Sequence, residues 1–583
     1  MKAVPSWGHK IRSAGWFFPG ILGLFTGIIT LIPLTDGDIW WHLAAGRALV
    51  HQGWLATDIF TFTAAGQSWV NVHWLYQVMI YGIYCAGGAW GLVVAHSAWW
   101  GLAASGWMRP RSWGQVGAAT VLIWLSRYLL LARPLALTML IVAVQVWGMV
   151  KFASTSGKSS RRVYGMLVVL GQILAVNVQG LFVLAPLYLW IRWPRRAGVA
   201  LGLYAISALS PHGYKAWLYP FQLFTRMWPS SIFAQRISEN VSSFKLITQH
   251  FSGANAEIYS HSGAEQSVAA LLILTLFAGW HFCKTRHFAT LRLNLAWLAL
   301  GWLSLRNIPL ALLMGDFWSR FSPAAASHKS VLSHNSVKSQ NSGSISPCSG
   351  SASPNSAPQS SACSGSVAPS SAPPTSCFRS WLAGVLSFFQ PLDRPIFSQF
   401  FQRVSTFLAQ FFQRFIAKPY SRMQKSFARL KKQRFFAIIW LSLLLLTQIQ
   451  WWTRIYTGPI SAPRFPQAAV EHLRSQPPAR VFNAVRYGGY ISFHLYPHTT
   501  TFIDGRLILR NAQFYSAYLG ILEHPESFEP WIAPHHIDAI LLPQHYPPIY
   551  QKLIAHLQQS PHWVEMLASD AVKSGHHLFV PAP

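Results

Sequence analysis

Apolar runs of roughly 18–22 residues recur along this chain and constrain its fold more than any other feature. The first run covers residues 14–34, and similar runs follow as far as residue 450. Of the 583 residues, 52% are hydrophobic and only 11% are charged. The sequence therefore predicts a polytopic α-helical membrane protein. Because the first run is long enough to span and lacks a small-residue cleavage site, we interpret it as a span and not as a signal peptide.

The formal net charge of +30 comes from basic residues that lie between the runs. Lys2, Lys10 and Arg12 precede the first run, which places the N-terminus in the cytoplasm by the positive-inside rule. Further basic clusters follow every second run, with Asp393 as their one acidic residue. This distribution favours membrane orientation and contact with anionic lipids over nucleic-acid binding. The predicted spans, about eleven by this rule, are 14–34, 90–107, 116–131, 135–150, 163–176, 181–191, 197–209, 266–283, 293–305, 310–321 and 435–450.

The composition divides the chain into segments. Residues 1–321 form the predicted multi-span domain. Residues 322–378 are rich in Ser and Pro and predict a disordered cytoplasmic linker. Apolar residues at alternating steps of four and three in residues 379–434 indicate a basic amphipathic helix on the inner surface, with a coiled-coil seam as the alternative. The last predicted span ends at residue 450 or 451, so the segment 435–451 places residues 463–583 outside.

The C-terminal segment alternates strand-like and helix-like patterns, which predicts a small soluble α/β domain. The predicted strands are 480–483, 500–503, 537–542, 563–567 and 577–580. The predicted helices are 489–496, 511–522 and 548–558.

The first outer loop, residues 35–73, carries Asp36, Asp38 and Asp58. Carboxylates directly after an apolar run are costly unless they bind a cation or another partner. Four tryptophans suit an interfacial loop, and residues 39–50 predict a short amphipathic helix on the membrane surface. The alternative is that these acids are ordinary solvated loop residues.

The motifs of this loop are D-x-D-x-W-W-H-L-x-x-G, then D-x-F-T-x-T-x-x-G-x-x-W, then H-W-L. They resemble the first outer loop of bacterial membrane glycosyltransferases of the GT-C superfamily, mannosyltransferase-like enzymes that take a sugar from a polyprenyl-phosphate carrier. Residues 132–136, A-R-P-L-A, resemble a phrase that opens an inward span in these enzymes. Residues 177–180 and 210–213 resemble two family turns, with Gln179 in place of His and Ser210 in place of Asn.

The resemblance implies that the first loop supplies the catalytic carboxylate. Asp38 or Asp36 would be the base, and the other would orient it or hold a divalent cation such as Mg or Mn. Outer-side arginines suit the donor phosphate, with snorkelling to lipid headgroups as the alternative. The candidates for this role are Arg133, Arg306 and Arg127. Supporting residues are His42, Arg47 and His73.

The C-terminal domain offers a second candidate site at Asp504, Arg506 and Arg486. Its R-Y-G-G-Y and F-I-D-G-R motifs resemble those of outer domains in the same bacterial proteins. Asp504 follows a predicted strand, where sites in α/β layers lie. The alternative, which we favour slightly, is a turn fixed by an Asp–Arg pair.

The resemblance thus implies an inner-membrane glycosyltransferase with a periplasmic site, membrane lipids around it and a glycan, lipid or protein as acceptor. A transporter or flippase of envelope lipids or glycans is an alternative, although transporters usually place ionisable residues inside spans, where only Asp316 qualifies. A non-catalytic scaffold with the same fold is the other alternative. The scattered cysteines and histidines match no metal motif.

Overall fold

The computed structural model describes residues 15–228, 230–252, 262–285, 287–317, 458–461, 464–475, 477–544, 548–566 and 575–583. The predictions for the linker, the basic amphipathic helix and the last span therefore lie outside the described residues. The contacts separate the chain into two compact units. The first contains the described residues up to Ala278, from Phe288 to Phe317 and from Gly458 onward, and the contacts described below lie within it.

The chain is mostly helical. Before residue 318, the described helices are α1 Phe17–Thr30, α2 Asp38–Gln52, α3 Trp74–Trp107, α4 Trp113–Leu125, α5 Pro134–Ser154, α6 Lys158–Val178, α7 Leu184–Arg192, α8 Ala197–Ala205, α9 Tyr214–Met227, α10 Ile232–Arg236, α11 Ser243–Ser252, α12 Ser262–Thr285, α13 Phe288–Leu303 and α14 Ile308–Met314.

Several of these helices are apolar, as expected of a membrane protein. Within the described residues, four are long and apolar enough to cross a membrane: Trp74–Trp107, Pro134–Ser154, Lys158–Val178 and Ala264–Cys283. Others are shorter than predicted, since α7 and α8 have 9 residues each and α14 has 7. At a rise of about 1.5 Å per residue, such helices cover less than half of a bilayer core. The helical class is confirmed, whereas the number of eleven spans is not.

Helix α3 contains a break at a glycine pair. In the sequence, Gly87-Gly88 predicts a break between a short segment that enters the membrane and the predicted span 90–107. In the structure, Gly88 has φ 57° and ψ −152° inside an otherwise helical element. These angles suit glycine, which has no Cβ to clash with its own backbone. The glycine pair therefore bends the element instead of ending it.

Helix α2 confirms the predicted helix of the first loop, and its apolar side chains pack against other parts of the protein. Its predicted place on the membrane surface stays a prediction. Nine of its 15 residues are buried, and the exposed ones lie at its C-terminal end. It packs against α3 on one side and against the helix Val485–Leu495 of the C-terminal domain on the other. The indole of Trp40 is fully buried and contacts Phe465 and Tyr490. Its tryptophans thus fill a protein interface.

The C-terminal domain contains the predicted mixture of strands and helices. Its strands are β1 Arg480–Asn483, β2 Thr500–Thr501, β3 Ala539–Pro543, β4 Trp563–Glu565 and β5 His576–Pro581. Their order is β2-β1-β3-β5-β4. Strand β1 pairs in parallel with β2 and β3, whereas β5 is antiparallel to β3 and β4. Its helices are α15 Gln467–Ser475, α16 Val485–Leu495, α17 Ala512–Glu523, α18 Phe528–Ile532 and α19 Gln551–Gln559.

The first loop extends this domain. The N–H of Thr501 donates to the carbonyl of Phe60 at 3.0 Å, so the loop adds a short parallel bridge beside β2. A second bridge joins Leu34 to Ile460. Buried side chains of the loop and of the domain form one continuous apolar core. The loop and the C-terminal domain are therefore one packed body.

Candidate functional site

Arg133 gathers three carboxylates where several apolar helices begin or end. Its guanidinium donates to both oxygens of Asp36, through Nε to Oδ2 and through Nη2 to Oδ1 at 3.0 Å. It also donates to both oxygens of Glu239, with 2.8 Å between Nη2 and Oε1. The Asp38 carboxylate lies 3.5 Å from Nη2. The structure thus brings the candidate residues Asp36, Asp38 and Arg133 together.

The local sequence explains why these groups meet. Asp36 lies just beyond α1, and Asp38 is the first residue of α2, where a carboxylate interacts favourably with the helix dipole. Arg133 precedes α5 in an extended conformation because Pro134 occupies the first helical position. Glu239 lies in a 3₁₀ turn, and its backbone carbonyl accepts a hydrogen bond from Ser304 Oγ at 3.0 Å.

Glu239 is a member of this charged cluster that was not predicted from the sequence. It sits in a long segment between apolar runs that has no recognisable motif. The available signal was its charge, since it is one of only 16 acidic residues and lies near the predicted outer side. Burial opposes its ionisation, but Arg133, and to a smaller extent Arg306, lower the pKa of Glu239 below its ordinary value. Its carboxylate is therefore ionised at neutral pH.

Asp38 differs from Asp36 in its hydrogen-bond donor and in its exposure, since both oxygens of Asp36 accept from Arg133. The Oδ1 atom of Asp38 accepts a hydrogen bond from Trp41 Nε1 at 3.1 Å, and its side chain is 33% exposed, against 8% for Asp36. Burial and, to a smaller extent, the charge of Asp36 raise the pKa of Asp38 against the opposing charge of Arg133, and the net result is a pKa of about 7. A carboxylate with this pKa exchanges a proton near neutral pH, as a general base does.

The other predicted arginines separate into two environments. Arg306 is exposed, and its Nη1 donates to Asn240 Oδ1 at 3.0 Å, next in sequence to Glu239. Arg127 instead donates to the carbonyl of Trp124 and to Gln266, and its guanidinium lies over the rings of Trp124 and Tyr128. None of the described contacts of Arg127 reaches the three carboxylates, so it is not brought to the site.

The supporting residues fall on both sides of α2. The His42 ring stacks on Trp41, with ring centroids 3.5 Å apart, and faces His73 at 5.2 Å. Burial, with a smaller contribution from the charge of Arg306, lowers the pKa of His73 to about 4, so this ring is neutral at pH 7. Arg47 donates to the carbonyls of Ser492 and Tyr496 and so joins α2 to the C-terminal domain.

The second candidate site is a buried ion cluster. Arg506 donates to Asp504 through Nε at 2.9 Å and through Nη2 at 2.6 Å, and Nη2 also lies 2.7 Å from Asp58 Oδ1. The three side chains are at most 3% exposed. Arg506 also lies over the Trp69 ring at 4.6 Å. These residues are better described as a turn fixed by an Asp–Arg pair, the alternative given above, than as a binding site. Asp58 of the first loop is a further partner of Arg506.

Arg486 reaches the first loop through its backbone. A Cβ added at Gly37 would lie 2.7 Å from the Arg486 carbonyl oxygen. Gly37 and Arg486 therefore also lie at the interface between the first loop, residues 35–73, and the C-terminal domain, which we call the seam.

The two resembling turns have structural contacts. Asn177 accepts a hydrogen bond from Trp74 Nε1 at 2.8 Å and donates to the carbonyl of Ile173, which fixes the end of α6. Ser210 Oγ accepts from the His212 N–H at 3.4 Å, closing the turn before α9. Both contacts agree with our reading of these segments as turns.

A divalent cation at Asp36 and Asp38 does not fit the geometry. Both oxygens of Asp36 accept hydrogen bonds from Arg133, and a cation would have to replace this guanidinium. Across the part of the chain that the structure describes, no group of three or more His, Cys, Asp or Glu side chains is arranged to hold a metal ion. We therefore assign no catalytic step to a metal.

No protein-family model matches the chain, and no curated protein matches it in sequence.

Proposed function

We propose that this protein is a GT-C-like membrane glycosyltransferase that moves a sugar from a polyprenyl-phosphate donor to a glycan, lipid or protein acceptor. The observation that carries the proposal is the Asp38 carboxylate. It is partly exposed and lies beside the partly buried Arg133 where apolar helices begin or end, and burial raises its pKa to about 7. A water-soluble acceptor and a lipid-linked donor would meet at such a place.

The proposed reaction has two coupled changes. Asp38 takes the proton from the attacking hydroxyl as the new glycosidic bond forms at the anomeric carbon. The bond from this carbon to the phosphate oxygen breaks, and polyprenyl phosphate leaves. Arg133 binds Asp36 and Glu239. Its role is therefore to hold Asp36 in place and to set the electrostatic field at the Asp38 carboxylate. Arg306, which is exposed, then suits the leaving phosphate better than Arg133.

The direct test uses purified protein in lipid nanodiscs with polyprenyl-phosphate-linked sugars and membrane extract as the source of acceptor. We expect release of polyprenyl phosphate that depends on the protein and on the extract. A parallel comparison of glycolipids and envelope polysaccharides, with and without the protein, identifies the acceptor. If no donor is consumed and no glycan changes, the glycosyltransferase proposal is wrong.

A non-catalytic scaffold is the second candidate, and one observation favours it. Arg133 satisfies both oxygens of Asp36 and of Glu239, which is also how a purely structural ion cluster is built. A scaffold would leave donor consumption unchanged when Asp38 loses its charge. The alternative of a transporter predicts movement of an intact lipid-linked sugar across the bilayer without its cleavage.

The proposed orientation is that of a bacterial inner-membrane protein with about eleven spans, a cytoplasmic N-terminus and a periplasmic C-terminal domain. Reporter fusions at Ser351 and at Pro583 test it. We expect the two fusions to report opposite sides of the membrane, since the charge asymmetry puts a span between them. Fusions that report the same side would remove the last span from the proposal.

The pH dependence of the rate gives a second prediction. Because Asp38 must be ionised to accept a proton, the rate should rise with pH through a midpoint near 7. The charge of Glu239 raises the pKa of Asp38, so Glu239→Gln should move this midpoint to lower pH. The measurement is the initial rate of donor consumption between about pH 5 and 9.

The matched control is Glu471→Gln, which makes the same change on an exposed side chain of the C-terminal domain. It should leave the midpoint where the unmodified protein has it. A midpoint that Glu239→Gln leaves unmoved, or moves to higher pH, would contradict the assigned base.

A further inference from the structure

The turn that follows strand β2 in the C-terminal domain touches the candidate base. A Cβ built on Gly505 would overlap Oδ1 of Asp38 and would lie 2.9 Å from Trp41 Nε1. These are the two atoms that form the hydrogen bond between Trp41 and Asp38. Nothing larger than glycine fits at this position without displacing one of them.

A second glycine brings the same domain against the same tryptophan. A Cβ on Gly489 of α16 would lie 2.6 Å from the backbone nitrogen of Trp41 and 3.2 Å from the Gly37 carbonyl oxygen. The backbone of α16 therefore rests on the first turn of α2. With Gly505 on its indole, Trp41 is held from two directions by the C-terminal domain.

The buried cluster of Asp58, Arg506 and Asp504 fixes the turn itself. The Arg506 N–H donates to Asp504 Oδ1 at 2.9 Å, so the Asp504 side chain closes the turn formed by residues 504–506. Asp58, which Arg506 binds, belongs to the same outer loop as Asp38. The position of Gly505 relative to Asp38 is thus set by contacts on both sides of the seam.

We propose that the C-terminal domain completes the Asp38 site, with Gly505 and Trp41 as positioning residues that hold the carboxylate in one orientation. The consequence for turnover rests on the proposed function, whereas the contact with Asp38 does not. The domain would then be required for the chemistry itself, and a chain whose domain is displaced from the first loop would keep all its membrane helices but lose an oriented base.

The proton affinity of Asp38 reports this contact. The charged groups that act on Asp38 are Asp36, Arg133 and Glu239, and Trp41 adds a hydrogen bond that lowers the pKa of Asp38. On the other side of the seam, Asp504 and Arg506 pair with Asp58. Losing the indole hydrogen bond should therefore raise the pKa of Asp38, the opposite of the shift expected for Glu239→Gln.

The experiment measures how Asp38 reacts with a hydrophobic carbodiimide, which modifies protonated carboxyl groups, in the full chain in nanodiscs across a pH series. Mass spectrometry locates the adduct, and Asp38→Asn gives the background. Gly505→Ala should move the labelling midpoint to higher pH by roughly half a unit or more, the size expected for one hydrogen bond. If sugar transfer is detected, it should fall roughly 10- to 100-fold, as for a misplaced catalytic group.

The matched control is Gly520→Ala in α17 of the same domain, where an added Cβ meets nothing within 4 Å. Trp41→Phe is the second variant, since it removes the donor but keeps an aromatic ring, and it should shift the midpoint in the same direction. Midpoints for Gly505→Ala and Trp41→Phe that equal that of Gly520→Ala would overturn the inference. A protein that shows these shifts but transfers no sugar would overturn the proposed function alone.

Discussion

Asp38→Asn is expected to lower the rate of sugar transfer by roughly 100-fold or more, the loss typical of removing a general base. The amide oxygen still accepts the hydrogen bond from Trp41, so the local geometry is kept. What disappears is the ability to accept a proton at neutral pH. The measurement is the initial rate of polyprenyl-phosphate release by equal amounts of folded protein.

Asp36→Asn separates the two carboxylates. Both Asp36 oxygens bind Arg133, so this change weakens the hold on the guanidinium and leaves the candidate base in place. We expect a smaller loss of rate together with lower thermal stability. Glu471→Gln, on an exposed side chain, should change neither the rate nor the stability. An Asp38→Asn protein with an undiminished rate would exclude Asp38 as the base.

The parts of the structure that depend on local pattern could be predicted from the sequence. The bounds of the five strands of the C-terminal domain lie within two residues of their predicted positions because short apolar runs bounded by turn residues favour buried strands. The break in α3 follows from a glycine pair, and the contact of Arg133 with Asp36 and Asp38 follows from motifs at the ends of apolar runs.

The parts that depend on distant segments were not predictable in this way. Glu239 reaches Arg133 from 106 residues away, and no periodicity marks the segment that carries it. The packing of α2 could not be predicted because an indole, with one polar atom on an apolar body, suits a membrane interface and a protein interface equally well. The structure shows that the Trp40 indole packs against Tyr490 of α16.

The pairing of Asp58 with Arg506 was missed for a similar reason. The sequence marks Asp504 and Arg506 as a local pair, two residues apart, and such a pair is complete without a third member. It does not reveal that the turn faces the first loop. Gly489 and Gly505 bring the domain close to Trp41 and Asp38 of the same loop, and a glycine in a sequence does not say which group will approach it.

Arg506→Met should be the most destabilising of the changes considered, because it leaves two buried carboxylates without a cation. Burial opposes the charge of Arg506, but Asp504 and Asp58 raise the pKa of Arg506 above its ordinary value, so the guanidinium stays charged. Removing one partner of a buried ion cluster costs about 3–5 kcal/mol of the free energy of unfolding. Pulse proteolysis of the full chain in a urea series measures this loss for the C-terminal domain.

The matched control is Arg474→Met, the same change at an exposed pair with Glu471, which should cost less than about 1 kcal/mol. Asp58→Asn removes one of the two carboxylates, so combining it with Arg506→Met should cost less than the sum of the two single changes. Equal stabilities for Arg506→Met and Arg474→Met would mean that the cluster does not hold the seam.

The same change should affect the candidate base. Gly505, which touches Asp38, lies between Asp504 and Arg506 in the sequence, so Arg506→Met should also release Asp38. Its labelling midpoint should then move in the same direction as that of Gly505→Ala, which links the stability of the seam to the orientation of the base.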